Sequence, residues 1–187
     1  MSSRLDYEVI IREETAQAKR LPGLLSQIIP FRTVLDVGCG PGIYTEAFRS
    51  DGFNCFGIDI DDRVMGMPNL FLHDILKSLP DIVSLFSSPM VDLVVSLEVA
   101  EHLEPSQSEL FVERLCDMTN VILFSAAFPG QGGIGHINCR PKSDWVRFFA
   151  KHGFYYDVDA TNSFVNRLVS GYHLGWLRIN GMVLRRC

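Results

Sequence analysis

Residues 34–45 read VLDVGCGPGIYT, and this stretch limits the fold of the chain more than any other. Val34, Leu35 and Val37 form the β-branched and aliphatic run of a buried parallel strand. Asp36 lies within that run, and Gly38, Gly40 and Gly42 follow at two-residue spacing. Glycine tolerates positive φ and carries no Cβ, so the backbone here can bend sharply and lie directly against a ligand. Pro41-Gly42 marks a turn before a helical stretch over 43–50. Strand, glycine turn and helix in this order make the first unit of a layered α/β sheet. A dinucleotide site of the Rossmann type needs G-x-G-x-x-G, and the spacing G-C-G-P-G departs from it, which argues against a nicotinamide cofactor.

The rest of the chain continues the alternation. Strands are expected at 33–37, 53–58, 70–73, 91–96 and 121–125, and helices at 43–50, 81–87, 106–118 and 142–151. Strands at 154–158 and 181–185 complete a set of seven, with 161–177 between them of unassigned type. Such alternation implies right-handed crossovers and a mostly parallel sheet with helices on both faces. The 187 residues, 47% of them hydrophobic, suffice for one substantial core, so a single domain over 1–187 is expected, opened by a helical segment over 1–30. A net charge of −5 without a Lys- or Arg-rich run offers no surface to DNA or an anionic membrane. Cys39, Cys55, Cys116, Cys139 and Cys187 lack C-x-x-C spacing, which disfavours a disulfide framework and structural zinc. The acidic opening and the lack of an apolar run approaching the roughly 18 residues of a membrane span lead to the expectation of a cytoplasmic protein.

Asp36, Gly38, Gly40 and Gly42 together resemble motif I of the class I S-adenosylmethionine (SAM)-dependent methyltransferases, D-x-G-x-G-x-G after a hydrophobic strand. Asp59 closes the second strand 17 residues after Gly42, where an acid can accept hydrogen bonds from both ribose hydroxyls of a nucleoside over the loop. Asp61 and Asp62 read as a solvated turn. The resemblance implies a Rossmann-like seven-stranded fold ending in an antiparallel hairpin, with a helical cap over the cofactor. It assigns SAM to Asp36, Gly38, Gly40, Gly42, Asp59, Asp74 and Leu97, with Asp74 near the adenine amino group.

Two segments carry the chemistry. Glu98, Glu101 and His102, in LEVAEHL after the fourth strand, would share one face of a helical turn. Two carboxylates and an imidazole at the mouth of an apolar sheet repel and desolvate one another, a cost that a bound cation would remove. The loop AAFPGQGGIGHINCRPK over 126–142 holds four glycines, and its length suggests a functional element, with His136 deep inside. The E-x-x-E-H segment resembles the metal-assisted O-methyltransferases of the small-RNA 2′-O-methylating and quinone-pathway types. That resemblance implies Glu98, Glu101, His102 and His136 as ligands of magnesium or manganese. The same segment also occurs in methyltransferases without a metal, where His102 or His136 serves as general base, and both readings stand at this point. Deprotonating a hydroxyl with a pKa near that of water by an imidazole near 6.5 would cost on the order of 12 kcal/mol, so either the proton leaves as the methyl bond forms or a cation stabilises the alkoxide.

The loop GQGGIGHINCRP with Trp145 beyond it also looks like methyltransferase domains found near, or fused to, glycosyltransferases of bacteria, phages and large viruses. This resemblance implies a sugar or glycan hydroxyl as acceptor and association with glycosyltransferases. Gln131, His136 and Asn138 would hydrogen-bond ring hydroxyls, with Phe128 or Trp145 as an aromatic face. The aromatic residues Trp145, Phe148 and Phe149 at helical spacing read first as core. Three other readings compete. A small-molecule O-methyltransferase of quinone type would draw an apolar acceptor pocket from 161–176. An RNA 2′-O-methyltransferase would need more positive charge than Arg140, Lys142, Arg147 and Lys151 supply. A SAM-binding partner subunit without turnover would not need the polar crevice.

Overall fold

The computed structural model describes residues 15–168, apart from residue 17, and 175–187. In chain order the elements are α1 (Leu21–Ser26), β1 (Thr33–Val37), α2 (Ile43–Ser50), β2 (Asn54–Asp59), β3 (Leu70–Leu72), α3 (Ile82–Phe86) and β4 (Leu93–Leu97). These are followed by α4 (Ser108–Met118), β5 (Val121–Ser125), α5 (Lys142–Lys151), β6 (Phe154–Tyr156), α6 (Val158–Arg167), α7 (Gly175–Asn180) and β7 (Met182–Arg186). One seven-stranded sheet results, in the order β3-β2-β1-β4-β5-β7-β6. β1 through β5 pair in parallel, and β7 runs antiparallel to both β5 and β6.

The two-residue period of the strands explains why their sequences are almost continuously apolar. Leu35, Val94, Ile122, Phe124 and Leu184 face one core with Phe111, Leu115, Trp145 and Phe149 of α4 and α5. Their neighbours Val34, Leu93, Val95, Leu123 and Val183 face the other, against Leu25, Phe48 and Phe164 of α1, α2 and α6. A sheet covered on both faces needs apolar residues at consecutive positions. The strand order reverses at β1, which lies between β2 and β4, and this leaves a crevice beyond their carboxyl ends.

The expected Rossmann-like fold is present, with differences at its C-terminal end. Val158 opens α6 instead of closing a strand, because the Asp157 side chain accepts from the Ala160 amide at 2.9 Å and caps the helix. β6 and β7 form the antiparallel pair, but α6 and α7 lie between them, so no tight turn joins them. Of the N-terminal segment, α1 packs on the face of α2 and α6. Of the expected helical segment over 1–30, residues 1–14 and 17 fall outside the described residues.

Candidate active site

The glycine loop is shaped by close approach. Gly38, Gly40 and Gly42 have φ of 77°, 49° and 80°, in the left-handed region. A Cβ on Gly38 would stand 2.4 Å from Val99 Cγ2, and one on Gly42 would stand 2.8 Å from Leu70 Cδ1. The amides of Gly38 and Cys39 donate to Ile58 O at 2.9 and 3.1 Å, which ties the loop to the end of β2. The Gly40 amide donates to Asp59 Oδ2 at 2.7 Å, and the Asp61 amide donates to Asp59 Oδ1 at 2.9 Å. Each carboxylate oxygen keeps a lone pair beyond these bonds, so Asp59 is fixed in place and can still accept. Asp36 lies behind the loop, 3% exposed, where Thr45 Oγ1 donates to Oδ2 at 2.7 Å. Burial pushes its carboxyl up to about 7, although the Thr45 hydrogen bonds pull the other way.

A cavity of about 550 Å³ opens between this loop and the segments after β2, β3 and β4. Gly38, Asp59 and Asp74 line it, together with an apolar wall that includes Ile75, Leu76 and Phe111. Its volume is in the range of small-molecule sites. Asp74 Oδ1 accepts from the Leu76 amide at 3.0 Å, and Lys77 pairs with Oδ2 at 3.0 Å. The Lys77 hydrogen bond holds its carboxyl below the usual range, against burial. Asp36, Gly40, Gly42 and Leu97 are not part of the lining. Gly40 acts through Asp59, and Leu97 packs against the core of α1, α2 and α6.

The expected shared helical face of Glu98, Glu101 and His102 does not form. Glu98 has φ 54°, which breaks any helix at its start, and only Ala100–His102 make a turn of 3-10 helix. The Glu98 side chain turns to accept from Gln131 Nε2 at 2.6 Å and Asn180 Nδ2 at 3.1 Å, and Asn180 Nδ2 also donates to Gln131 Oε1 at 2.8 Å. Glu98 is therefore held by amides and does not join Glu101, His102 and His136 as a ligand group, although its carboxylate faces that of Glu101. Glu101 is fully buried, and neither of its carboxylate oxygens makes a hydrogen bond. Burial first, and then the Glu98 carboxylate, push its carboxyl well above the usual range.

His136 meets this carboxyl, with Nε2 4.0 Å from Glu101 Oε1. Its ring crosses that of His102 edge to face, with centroids 5.0 Å apart. One ligating atom from each of Glu101, His102 and His136 lies within 4.8 Å of the others, and His102 also lines the large cavity. His102 Nδ1 faces Gly135 O at 3.2 Å and His136 Nδ1 faces Gln131 O at 3.3 Å. A carbonyl can only accept, so each Nδ1 donates, and in the neutral ring Nε2 holds the lone pair.

The glycine-rich loop is held by Asn138. Its amide and that of Ile137 donate to Glu101 O, and its side chain donates to Ala100 O and Ser108 Oγ while accepting from Arg140 Nε. Asn138 is buried and these bonds occupy its side chain, so it is an anchor and not a contact for a sugar hydroxyl. Gln131 is similarly engaged with Glu98 and Asn180, and Trp145 is core at 1% exposure. Asn180 was invisible to sequence reasoning, since an isolated asparagine 82 positions from Glu98 carries no signal.

A family model described as a methyltransferase domain matches residues 11–125. The chain belongs to this family, the class I SAM-dependent methyltransferases. It is 35% identical over 92 residues to an uncharacterized methyltransferase of Mycobacterium tuberculosis, which covers 45% of this chain and 34% of that protein. A ubiquinone biosynthesis O-methyltransferase of Nitrosomonas europaea is 29% identical over 101 residues, 50% of this chain and 43% of the relative. The chain thus matches between a third and a half of the length of these relatives. Among solved structures, the SAM-bound amino pentose methyltransferase of Micromonospora echinaspora superposes with a TM-score of 0.70, at 14% identity, over 97% of this chain and 96% of that one. At this identity the likeness is one of fold. Among the described residues, no helix is long and apolar enough to cross a membrane.

Proposed function

We propose that the protein transfers the methyl group of SAM to a hydroxyl oxygen, and that a sugar carries this hydroxyl. The observation that carries the reading is a buried carboxylate without a hydrogen bond, Glu101, grouped with two imidazoles at the rim of the loop-lined cavity. SAM supplies an electrophilic methyl group on a sulfonium. Asp59, fixed by the Gly40 and Asp61 amides, accepts from the ribose hydroxyls, and Ile75, Leu76 and Phe111 offer an apolar wall to the base, with Asp74 at that end. The close-packed glycine loop leaves room for the methionine end.

In the displacement, the acceptor oxygen bonds to the methyl carbon, the carbon–sulfur bond breaks toward sulfur, and the acceptor proton passes to His136 Nε2. Glu101 faces the same nitrogen, and in its ionised form it would stabilise the imidazolium that forms. Glu101, His102 and His136 are also the set that would hold a divalent cation, whose effect when bound would be to lower the pKa of a coordinated hydroxyl. With Glu98 engaged elsewhere, two imidazoles and one carboxylate suit manganese or zinc better than magnesium.

Two features support a sugar acceptor: the exposed, glycine-rich backbone over 132–135 beside His136, and a net charge of −5 that does not favour RNA. The quinone-pathway name of one relative favours a phenolic acceptor as the second reading. Incubation with labelled SAM and a panel of glycosides, catechols and short RNAs, with and without chelator, tests all of this. Label on a glycoside is expected. Transfer to a catechol or RNA with none to any glycoside would overturn the acceptor, and full activity in excess chelator would leave His136 as a plain base.

A further inference from the structure

We infer that a second, smaller cavity beside the site receives an oxyanion group carried by the acceptor, so that the methylated sugar is a glycosyl phosphate or an acidic sugar. This rests on the methyl-transfer reading above. The cavity, about 100 Å³, lies beyond the carboxyl end of β5, with Phe128, Arg140, Lys142, Trp145, Asn180 and Met182 in its wall. It shares Asn180 with the network that holds Glu98, and Glu98 lines the large cavity. A group seated in the small cavity is therefore one side chain away from the site of methyl transfer.

The argument is one of uncompensated charge. Arg140 and Lys142 are both half-buried, and among the described residues neither has a carboxylate within 4.0 Å, although the chain carries more acids than bases. Arg140 donates to Asn138 Oδ1 at 2.7 Å and Pro105 O at 3.2 Å, with its guanidinium 5.9 Å from the centre of the Trp145 ring. Lys142 donates to Gly181 O at 3.2 Å. These partners are neutral, so both cations lose solvent without gaining a counter-charge, and burial alone lowers the Lys142 pKa. Lys142 is also the first residue of the ten-residue α5, whose amino end adds positive potential on the same side. Trp145, which lines this wall, also has a buried indole N–H without a hydrogen bond. An oxyanion would supply the missing negative charge, and a neutral sugar would leave it missing.

The test follows the Trp145 indole and the Lys142 amide by NMR in the full chain. Inorganic phosphate and acetate are titrated separately, with chloride at matched ionic strength as reference and S-adenosylhomocysteine binding measured on the same samples. Saturable shifts with phosphate or acetate are expected, weakened about tenfold or more in Lys142→Gln, and the tighter of the two ions identifies the acceptor group. Lys142→Arg, which keeps the charge if the packing of Lys142→Gln fails, should retain binding. Equal shifts in chloride, or binding unaffected by Lys142→Gln, would overturn the proposal while leaving intact a protein that still binds S-adenosylhomocysteine. Phosphate binding without S-adenosylhomocysteine binding would instead overturn the methyl-transfer reading and, with it, the assignment of this cavity to an acceptor.

Discussion

Replacing Asp36 with asparagine should make the protein less sensitive to pH and more stable above neutrality. Asp36 is 3% exposed, accepts a hydrogen bond from Thr45, and has its carboxyl pushed up to about 7 by burial. A free aspartate carboxyl titrates near 3.8. A carboxyl whose folded pKa is raised binds its proton more tightly when folded, so its stability contribution is complete below 3.8 and is lost as pH rises through about 7. The full difference is about 3 pKa units, or roughly 4 kcal/mol, and about 3 kcal/mol of it falls between pH 5 and pH 8. For a chain of this size that corresponds to on the order of 6–12 °C in Tm. Asparagine has nearly the same shape, cannot ionise, and keeps an oxygen for Thr45. Its new amide donors lack a partner, which costs about 1–3 kcal/mol at every pH and does not alter the slope. Thermal or urea unfolding of both proteins at several pH values isolates the effect as the difference between two curves. Parallel curves would refute the reasoning, because they would show that Asp36 titrates normally despite its burial.

Other expectations follow from the same geometry. Asp59→Ala removes the acceptor of the Gly40 and Asp61 amides and should weaken S-adenosylhomocysteine at least tenfold by calorimetry, whereas an unchanged Kd would remove Asp59 from the site. Gly133→Ala would place a Cβ 2.1 Å from His136 Nε2, so it should displace the imidazole and cut turnover by tenfold or more with little change in Tm or cofactor affinity; normal turnover would exclude His136 from the chemistry. His136→Ala should likewise lose far more turnover than stability, and a large drop in Tm with preserved specific activity would make it structural. Asp92→Ala, which frees the Arg32 and Thr33 amides at the opposite end of the sheet, should cost about 1 kcal/mol in urea unfolding and leave S-adenosylhomocysteine binding unchanged.

What the sequence made legible is what depends on near neighbours. The strand, glycine loop and helix over 33–50 form a local unit whose apolar pattern and turn residues agree, and the structure places them within a residue of expectation. Asp59 was legible as the end of the second strand, and it stands there in the cavity wall. The cluster of Glu101, His102 and His136 was partly legible, since the first two are adjacent and the third lies in a long glycine-rich loop. The place of Glu98 was not, because its left-handed backbone and its turn toward Gln131 and Asn180 are set by the loop after β5 and the end of α7. Asn138 misled for a related reason: a polar residue in an exposed loop reads as a ligand contact, and only the fold shows it bonded to Ala100 and Ser108 in the interior. The cap of Asp157 on α6 was a local signal that reading 154–158 as one strand overrode.

The position of the site is decided by chemistry rather than by size. The larger opening, about 740 Å³, lies at the amino ends of β1, β2 and β4, walled by Phe31, Phe53, Asn54 and Asp92. Its acid, Asp92, accepts from the Arg32 and Thr33 amides at 2.8 and 2.9 Å, bonds that fasten the start of β1 to β4. At the carboxyl edge the balance is the reverse. Asp36 and Glu101 carry raised pKa values through burial, Glu101 makes no hydrogen bond with either oxygen, and Arg140 and Lys142 lack a counter-charge among the described residues. Each of these costs stability in the protein alone, and they lie at or beyond the carboxyl ends of β1, β4 and β5. Structural polar groups tend to find partners within the fold, as Asp92 does. In the reading proposed above, the partners of Glu101, Arg140 and Lys142 come from the ligands, so the cost they impose on the folded chain becomes binding and transition-state free energy when cofactor and acceptor arrive.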